Sequence, residues 1–193
     1  SEVSNENQDE IATILEQTEK LDFLIQSLVK LSRMESGIIA VHSEDTAIKQ
    51  MLESIQQQFN VKVREKNITL SLCDTDLHVR CDSKWTVEAL GNIVDNAIKY
   101  TACGGNVQIK VEQYSFFVKI DIIDDGIGIE KEEIPKIFGR FYRSLSVADQ
   151  PGVGIGLFLA REIIQAQKGY IKVTSKRGKG STFSVFLPIA KKE

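Results

Sequence analysis

Within Glu88–Thr101, E-A-L-G-N-I-V-D-N-A-I-K-Y-T, residues able to hold a charged ligand recur at helical spacing. Glu88, Asn92 and Asn96 stand above one another on a single helix face, with Lys99 and Tyr100 one turn further on. Leu90, Ile93, Val94, Ala97 and Ile98 form a continuous apolar face of the kind a helix docked on a sheet requires. An Asn side chain offers a carbonyl oxygen to a hard cation, and a Lys ammonium is a point charge for phosphate. The column therefore suits a metal–phosphate group. A solvated polar face would carry the same residues, because Asn is a weak helix former common at helix edges.

Three clusters downstream bear on the choice. Asp124-Asp125-Gly126-Ile127-Gly128 lies at the end of an alternating apolar run, where a carboxylate can point into a pocket while the backbone turns closely around a ligand. An ordinary strand-to-loop turn has the same composition. Gly152-Val153-Gly154-Ile155-Gly156-Leu157 opens a helical pattern, and glycines there let amides approach an anion at a helix N-terminus. No Gly-Lys-Ser/Thr follows, so it is not a Walker loop. The polar stretch from Ser144 precedes it, not a strand, which excludes the dinucleotide fingerprint. Between these, Ile137-Phe138-Gly139-Arg140-Phe141-Tyr142-Arg143 can pin a segment by Phe138 and Phe141 and leave Arg140 or Arg143 to meet phosphate. Alone, that segment reads better as a surface aromatic cluster.

These residues must be positioned by a chain of 193 residues, enough for one ordinary domain and an appendage. A 42% hydrophobic and 26% charged composition is that of a globular protein. The net charge of −3 and a pI near 5.6 carry no basic footprint for nucleic acid. No apolar run reaches the ~20 residues of a membrane span, and no signal peptide opens the chain. Cys73, Cys81 and Cys103 are odd in number, lack metal-type pairing and read as free thiols.

From Glu10 to Glu35 an apolar stripe including Ile14, Thr18, Leu21, Ile25 and Leu28 alternates steps of four and three, the seam of a bundle or coiled coil, with Gly37 placed to end it. A stripe that long needs a partner helix. An extended piece is expected at Ile38–His42, then a helix capped by Ser43 and running to about Glu65. Ile68–Cys73 and Leu77–Cys81 read as strands about a Cys-Asp-Thr-Asp turn, and Ser83 as the cap of the Asn-bearing helix. Val107–Gln113 and Phe116–Ile123 form an expected hairpin. A short helix near Glu130–Ile137, a helix from about Gly154 to Lys168, and a hairpin of Tyr170–Ser175 with Thr182–Leu187 complete the pattern. The fold class is α+β, a two-layer sandwich whose mixed, mostly antiparallel sheet is covered by helices, preceded by one long helix.

Taken together and in order, N-x-x-x-N-A-x-K-Y, D-x-G-x-G, F-x-R-F-Y-R, G-x-G-x-G-L and G-x-G-S-T-F-x-x-x-L-P resemble the ATP-binding domain of bacterial sensor histidine kinases. These belong to the Bergerat-type GHKL group with the ninety-kilodalton heat-shock chaperone, type II topoisomerases and MutL. The resemblance covers roughly residues 38–190, and L-D-F-L-I-Q-S-L-V-K-L-S-R-M-E-S-G looks like the second helix of the dimerisation and phosphotransfer domain. It implies domains at 1–37 and 38–193, with ATP and Mg²⁺ as cofactors. Asn96 would hold Mg²⁺ with Asn92 assisting, Lys99 would pair with phosphate and Tyr100 would line the site. Asp124 would accept from the adenine amine, with Gly126 and Gly128 allowing close approach and Thr182 on the adenine side. Residues 138–152 would be the ATP lid with Arg140 and Arg143, and Gly152, Gly154, Gly156 and Leu157 would bring the backbone to the phosphates.

In the family's ATPases a water-activating Glu stands where this chain has Asn92, and an amide cannot take a proton from water near neutral pH. That departure favours phosphoryl transfer. Glu88 is the remaining candidate base for the alternative, a GHKL-type ATPase or a serine-kinase or partner-binding module. Gly139 replaces the acid that many members carry in the lid. The phosphoacceptor motif His-Glu-x-x-x-Pro is not found in this sequence, and His42 and His78 both read as structural. The expectation is a catalytic part that binds ATP without labelling itself. The resemblance further implies a response-regulator receiver domain as partner, homodimerisation through the N-terminal helix, and a cytoplasmic location in a parent anchored in the plasma membrane.

Overall fold

The computed structural model describes residues 41–144, 147, 150 and 152–190, with positions 10, 11, 14, 15, 17, 18, 21, 22, 24–26, 28, 29 and 32. These last positions are helical, as the heptad-like stripe predicts. Their apolar side chains face solvent: Ile14 is 63% exposed and Leu28 47%. Leu24 alone among them packs against the hydrophobic core. The expected end at Gly37 and most of the extended piece from Ile38 lie outside the described residues.

Two sheets and three helices follow. Strand β1 (Glu44–Ala47) pairs antiparallel with β3 (His78–Cys81). Strands β2 (Thr69–Leu72), β4 (Asn106–Gln113), β5 (Phe117–Asp124), β6 (Tyr170–Ser175) and β7 (Ser181–Pro188) form a sheet of order β2-β4-β5-β7-β6. Only the β2–β4 pairing is parallel. Helices α1 (Ile48–Glu65), α2 (Ser83–Tyr100) and α3 (Gly156–Ala166) make the second layer.

The core lies between the layers. Val107, Ile109, Val118, Ile120, Ile122, Val185 and Leu187 come from the sheet, and Ile48, Ile55, Leu90, Ile93, Val94 and Ile163 from the helices; all are buried. Strict alternation along β5 and β7 sends every second residue inward, which is the period-two signal that identifies them as strands. The alternate residues Lys119, Asp121 and Phe186 are partly exposed on the other face.

Several local expectations are corrected. Ser43 does not start a helix: residues 44–47 are drawn into β1, where buried Thr46 donates to the carbonyl of Cys81, and α1 begins at Ile48. Strand pairing with a distant partner outweighs the local capping preference. Asp82, not Ser83, caps α2, its Oδ1 accepting from the Trp85 N–H at 3.2 Å. The two strands around Cys73–Leu77 are not a hairpin, since β2 joins the large sheet and β3 the small one. Residues 130–137 form successive turns in place of a helix, because Pro135 removes an amide donor and disfavours helical backbone at the residue before it.

Candidate nucleotide site

Helix α2 is held at both ends, and that fixes its polar face. At the N-terminus the buried Gln167 amide oxygen accepts from the Asp82 N–H (2.6 Å) and the Thr86 hydroxyl (3.1 Å). At the C-terminus the Lys66 ammonium donates to the carbonyls of Ile98 (2.9 Å) and Lys99 (2.6 Å), satisfying orphan acceptors where a cation also suits the helix dipole. Between these anchors Asn92, Asp95, Asn96 and Lys99 project into a cleft of about 370 Å³. Tyr100 joins them, the Lys99 ammonium lying 4.8 Å from its ring centroid.

The opposite end of the cleft is built on the sheet. Asp124, the last residue of β5, is only 7% exposed. Its Oδ1 accepts from the Gly126 N–H at 2.9 Å and the Ser181 N–H at 3.2 Å. Among the described residues Oδ2 receives no hydrogen bond, so one carboxylate oxygen is tied down and the other remains available. Burial pushes this carboxyl above the ordinary aspartate value, against the opposing pull of the two amides. Asp125 turns away and grips Asn106 through its N–H (2.9 Å) and its side-chain amide (2.8 Å). Ile127, Ile129, Ile137, Val153 and Phe183 supply apolar walls.

Of the residues expected from sequence, Asn92, Asn96, Lys99, Tyr100, Asp124, Gly128, Arg143, Gly152, Gly154, Gly156 and Leu157 line this one cleft. Gly156 backs onto Asn92, since a Cβ there would come within 3.2 Å of the Asn92 Oδ1. Gly126 lies behind the lining, where it leaves room for the Tyr100 carbonyl. Three expectations are not met in place. Arg140 is directed away, its guanidinium 4.6 Å from the Phe158 ring centroid. Thr182 lies on the other face of β7, and its neighbour Ser181 lines the cleft. Glu88 is outside the lining.

Arg143 lines the cleft and also donates to the carbonyls of Val147 (2.8 Å) and Gln150, knitting the segment that follows it. The Glu133 carboxylate accepts from the Tyr142 hydroxyl at 3.2 Å, tying that segment to the turns before it. Burial, then the nearby Arg143 charge, holds the Lys99 ammonium below the usual lysine range. An arriving anion would relieve that strain between cations. Sequence reasoning missed Phe59, Lys62 and Asp95, which also line the cleft. Asp95 was legible from the i, i+3, i+4, i+7 spacing of residues 92, 95, 96 and 99.

The donor set fits a metal–polyphosphate ligand with an aromatic base. Oxygens of Asn92, Asn96 and Asp95 suit a hard cation, Lys99 and Arg143 suit phosphate, and the buried carboxylate suits an exocyclic amine. Among the described residues no group of three or more His, Cys, Asp or Glu side chains could hold a metal ion, so a cation here would rely on the Asn amide oxygens and on the ligand itself.

Comparison with known proteins identifies the family. The sequence pattern of the family described as "Histidine kinase-, DNA gyrase B-, and HSP90-like ATPase" matches residues 81–191. The sensor histidine kinase WalK of Bacillus subtilis is 34% identical over 177 residues, covering 89% of this chain and 29% of WalK. The sensor protein kinase PmrB of Pseudomonas aeruginosa is 30% identical over 171 residues, covering 88% of this chain and 36% of PmrB. The chain thus spans about a third of the length of these relatives. Among solved structures, the Acinetobacter baumannii histidine kinase AdeS aligns with a TM-score of 0.73 at 25% identity, over 94% of this chain and 84% of that one. The catalytic domain of histidine kinase ThkA aligns with a TM-score of 0.67 at 26% identity, over 76% of this chain and 95% of that one.

Proposed function

The chain belongs to the family of histidine kinase-, DNA gyrase B- and HSP90-like ATPases, and from that membership we propose that it is the Mg-ATP-binding catalytic part of a sensor histidine kinase. In the parent protein it would transfer the γ-phosphoryl group to a histidine, for relay to a response-regulator receiver domain. The observation that carries the reading is the buried Asp124, with one oxygen fixed by two amides and the other available at the cleft. A base amine would be read there, while the polar face of α2 would take the phosphates.

On this reading Asn96 and Asn92 would hold Mg²⁺, which would neutralise phosphate charge when bound. Lys99 and Arg143 steady the phosphate charge, and in-line transfer then depends on positioning more than on covalent chemistry. Arg140 would act by fixing the segment through Phe158. Asn92 beside Gly156 at the start of α3, with Glu88 outside the cleft lining, supports transfer over hydrolysis. The exposed stripe of the N-terminal helix suits a bundle partner, as in a homodimer of the parent. The parent would be a membrane sensor whose cytoplasmic side includes this domain; no helix among the described residues is long and apolar enough to cross a membrane.

Calorimetry with Mg-ATP tests the site. Binding should weaken by about 10- to 100-fold in Asp124→Asn and in Asn96→Asp, the range of one lost charge-assisted contact. Unchanged affinity in both would refute the assignment. With γ-labelled ATP the chain alone should incorporate no label, and a supplied histidine-bearing helix pair of the parent should be labelled. Label on His42 or His78 would overturn that expectation.

A further inference from the structure

Helix α1 lies outside the part of the chain that matches the family pattern, yet it forms one wall of the cleft. Gln58, Lys62 and Lys66 recur every fourth residue and so share one face of α1 or its immediate continuation. Each reaches α2. Gln58 lies beside Gly91, Lys66 holds the carbonyls of Ile98 and Lys99, and the Lys62 ammonium meets the Asp95 carboxylate at 2.6 Å. Lys62 and Asp95 both line the cleft. Asp95 sits between Asn92, Asn96 and Lys99, on the face assigned to metal and phosphate. The pair is a mouth-side contact, with the two side chains 60% and 42% exposed. An exposed pair of this kind adds little to stability. Its position beside a cationic cluster gives it another use.

We propose that Lys62 is a further polyphosphate-binding residue, kept at the cleft by Asp95 and exchanging that carboxylate for a nucleotide phosphate on binding. The inference rests on the Mg-ATP reading and adds to it a residue from α1. The Lys62 ammonium already stands within a hydrogen bond of the polar face of α2, and its four-carbon stem allows the short swing. Phe59, 5.8 Å below the ammonium at its ring centroid, supports the stem. An incoming phosphate competes with one carboxylate for one ammonium.

The test is calorimetric titration of this chain with Mg-ATP, Mg-ADP and adenosine, in Lys62→Met, Lys62→Arg, Asp95→Asn and the Lys62→Met/Asp95→Asn double variant. Lys62→Met should weaken Mg-ATP about tenfold, weaken Mg-ADP less and leave adenosine unchanged, and Lys62→Arg should restore most of the loss. Asp95→Asn should tighten Mg-ATP a few-fold with Lys62 present, because no ion pair must then be broken, and by clearly less in the Lys62→Met background. Equal losses for all three ligands, or none, would reduce Lys62 to a structural residue and overturn the proposal. So would an Asp95→Asn effect of the same size in both backgrounds, which long-range repulsion alone produces. Failure of the unaltered chain to bind any of the ligands would instead sink the Mg-ATP reading on which the proposal rests.

Discussion

The two ends of the cleft are made of different materials. The end around Asp124 is sheet: a strand terminus, a neighbouring strand start and amides locked onto one carboxylate oxygen. The end around Asn96 and Lys99 is one helix face plus the glycine-bearing segment before α3 and the mouth-side pair Lys62–Asp95. The first is held by backbone that cannot shift without disturbing the β5–β7 pairing. The second is held by long side chains that can. A rigid base pocket suits recognition of a flat, neutral ring. Adjustable cations suit a ligand whose charge changes during phosphoryl transfer.

The largest expected contrast comes from one alanine at each end. Gly180 has φ of +86°, and a Cβ there would lie 1.9 Å from the Asp124 carbonyl oxygen. Gly180→Ala should cost roughly 2–4 kcal/mol in chemical denaturation, because left-handed strain adds to a backbone clash. Gly152 has φ of +142°, but its added Cβ would meet the Lys99 ammonium at 2.8 Å, the movable end of a flexible chain. Gly152→Ala carries the backbone strain without the backbone clash, so it should cost roughly 1–3 kcal/mol of stability, less than Gly180→Ala, while weakening Mg-ATP. Equal stability losses at the two glycines would break the distinction between a rigid and an adjustable end.

A second contrast is between stability and binding at Asp124 itself. Its folded-state value is raised by burial, so the native state holds the proton more tightly than the unfolded chain does. Stability therefore falls as pH rises from the ordinary carboxylate value through the raised one, and the penalty is complete above it. Asn at this position keeps an acceptor for the Gly126 and Ser181 amides without the charge. Asp124→Asn should lose nucleotide and yet match or exceed the unaltered chain in Tm at neutral pH. Its advantage should shrink on titration into the acid range. A Tm difference constant across that range would mean that burial of the charge carries no cost.

The same division explains what could be read from sequence. Residues that act through helical or strand periodicity were legible: Asn92, Asn96 and Lys99 from the turn of α2, and the inward rows of β5 and β7 from alternation. Asp124 stood out because a carboxylate ended an apolar run. What escaped depends on partners distant in the chain. Residues 44–47 became strand only because β3 lies alongside them, and the alternation of β2 and β3 identifies strands without saying which sheet each joins. Gln167 fixing the start of α2 from 81 positions past Thr86 has no local signal at all. Nothing in the local sequence marks Lys62, because its partner Asp95 is on another helix. Arg140 and Arg143 are alike in sequence, and tertiary packing separates them: Arg140 lies against Phe158, while Arg143 lines the cleft and holds the carbonyls of Val147 and Gln150.

The smallest predicted effect tests that reasoning at adjacent residues. Along β7 the inward positions are Ser181, Phe183, Val185 and Leu187, so Thr182 must face the other way, paired in register with Thr174 and Ile123. Ser181 gives its N–H to Asp124 and has its hydroxyl 2.9 Å from that of Ser175, which places its small side chain at the base end of the cleft. Ser181→Ala retains the amide and removes only the hydroxyl, so affinity should fall by no more than about tenfold, consistent with about 0.5–1.5 kcal/mol for one neutral hydrogen bond. Thr182→Ala should leave affinity unchanged, since the side chain lies across the sheet from the ligand. Mg-ATP titrations of both variants give the order. A larger loss at Thr182 than at Ser181 would mean that the strand slips by one residue when the cleft is filled, and the base end would then be no more rigid than the phosphate end.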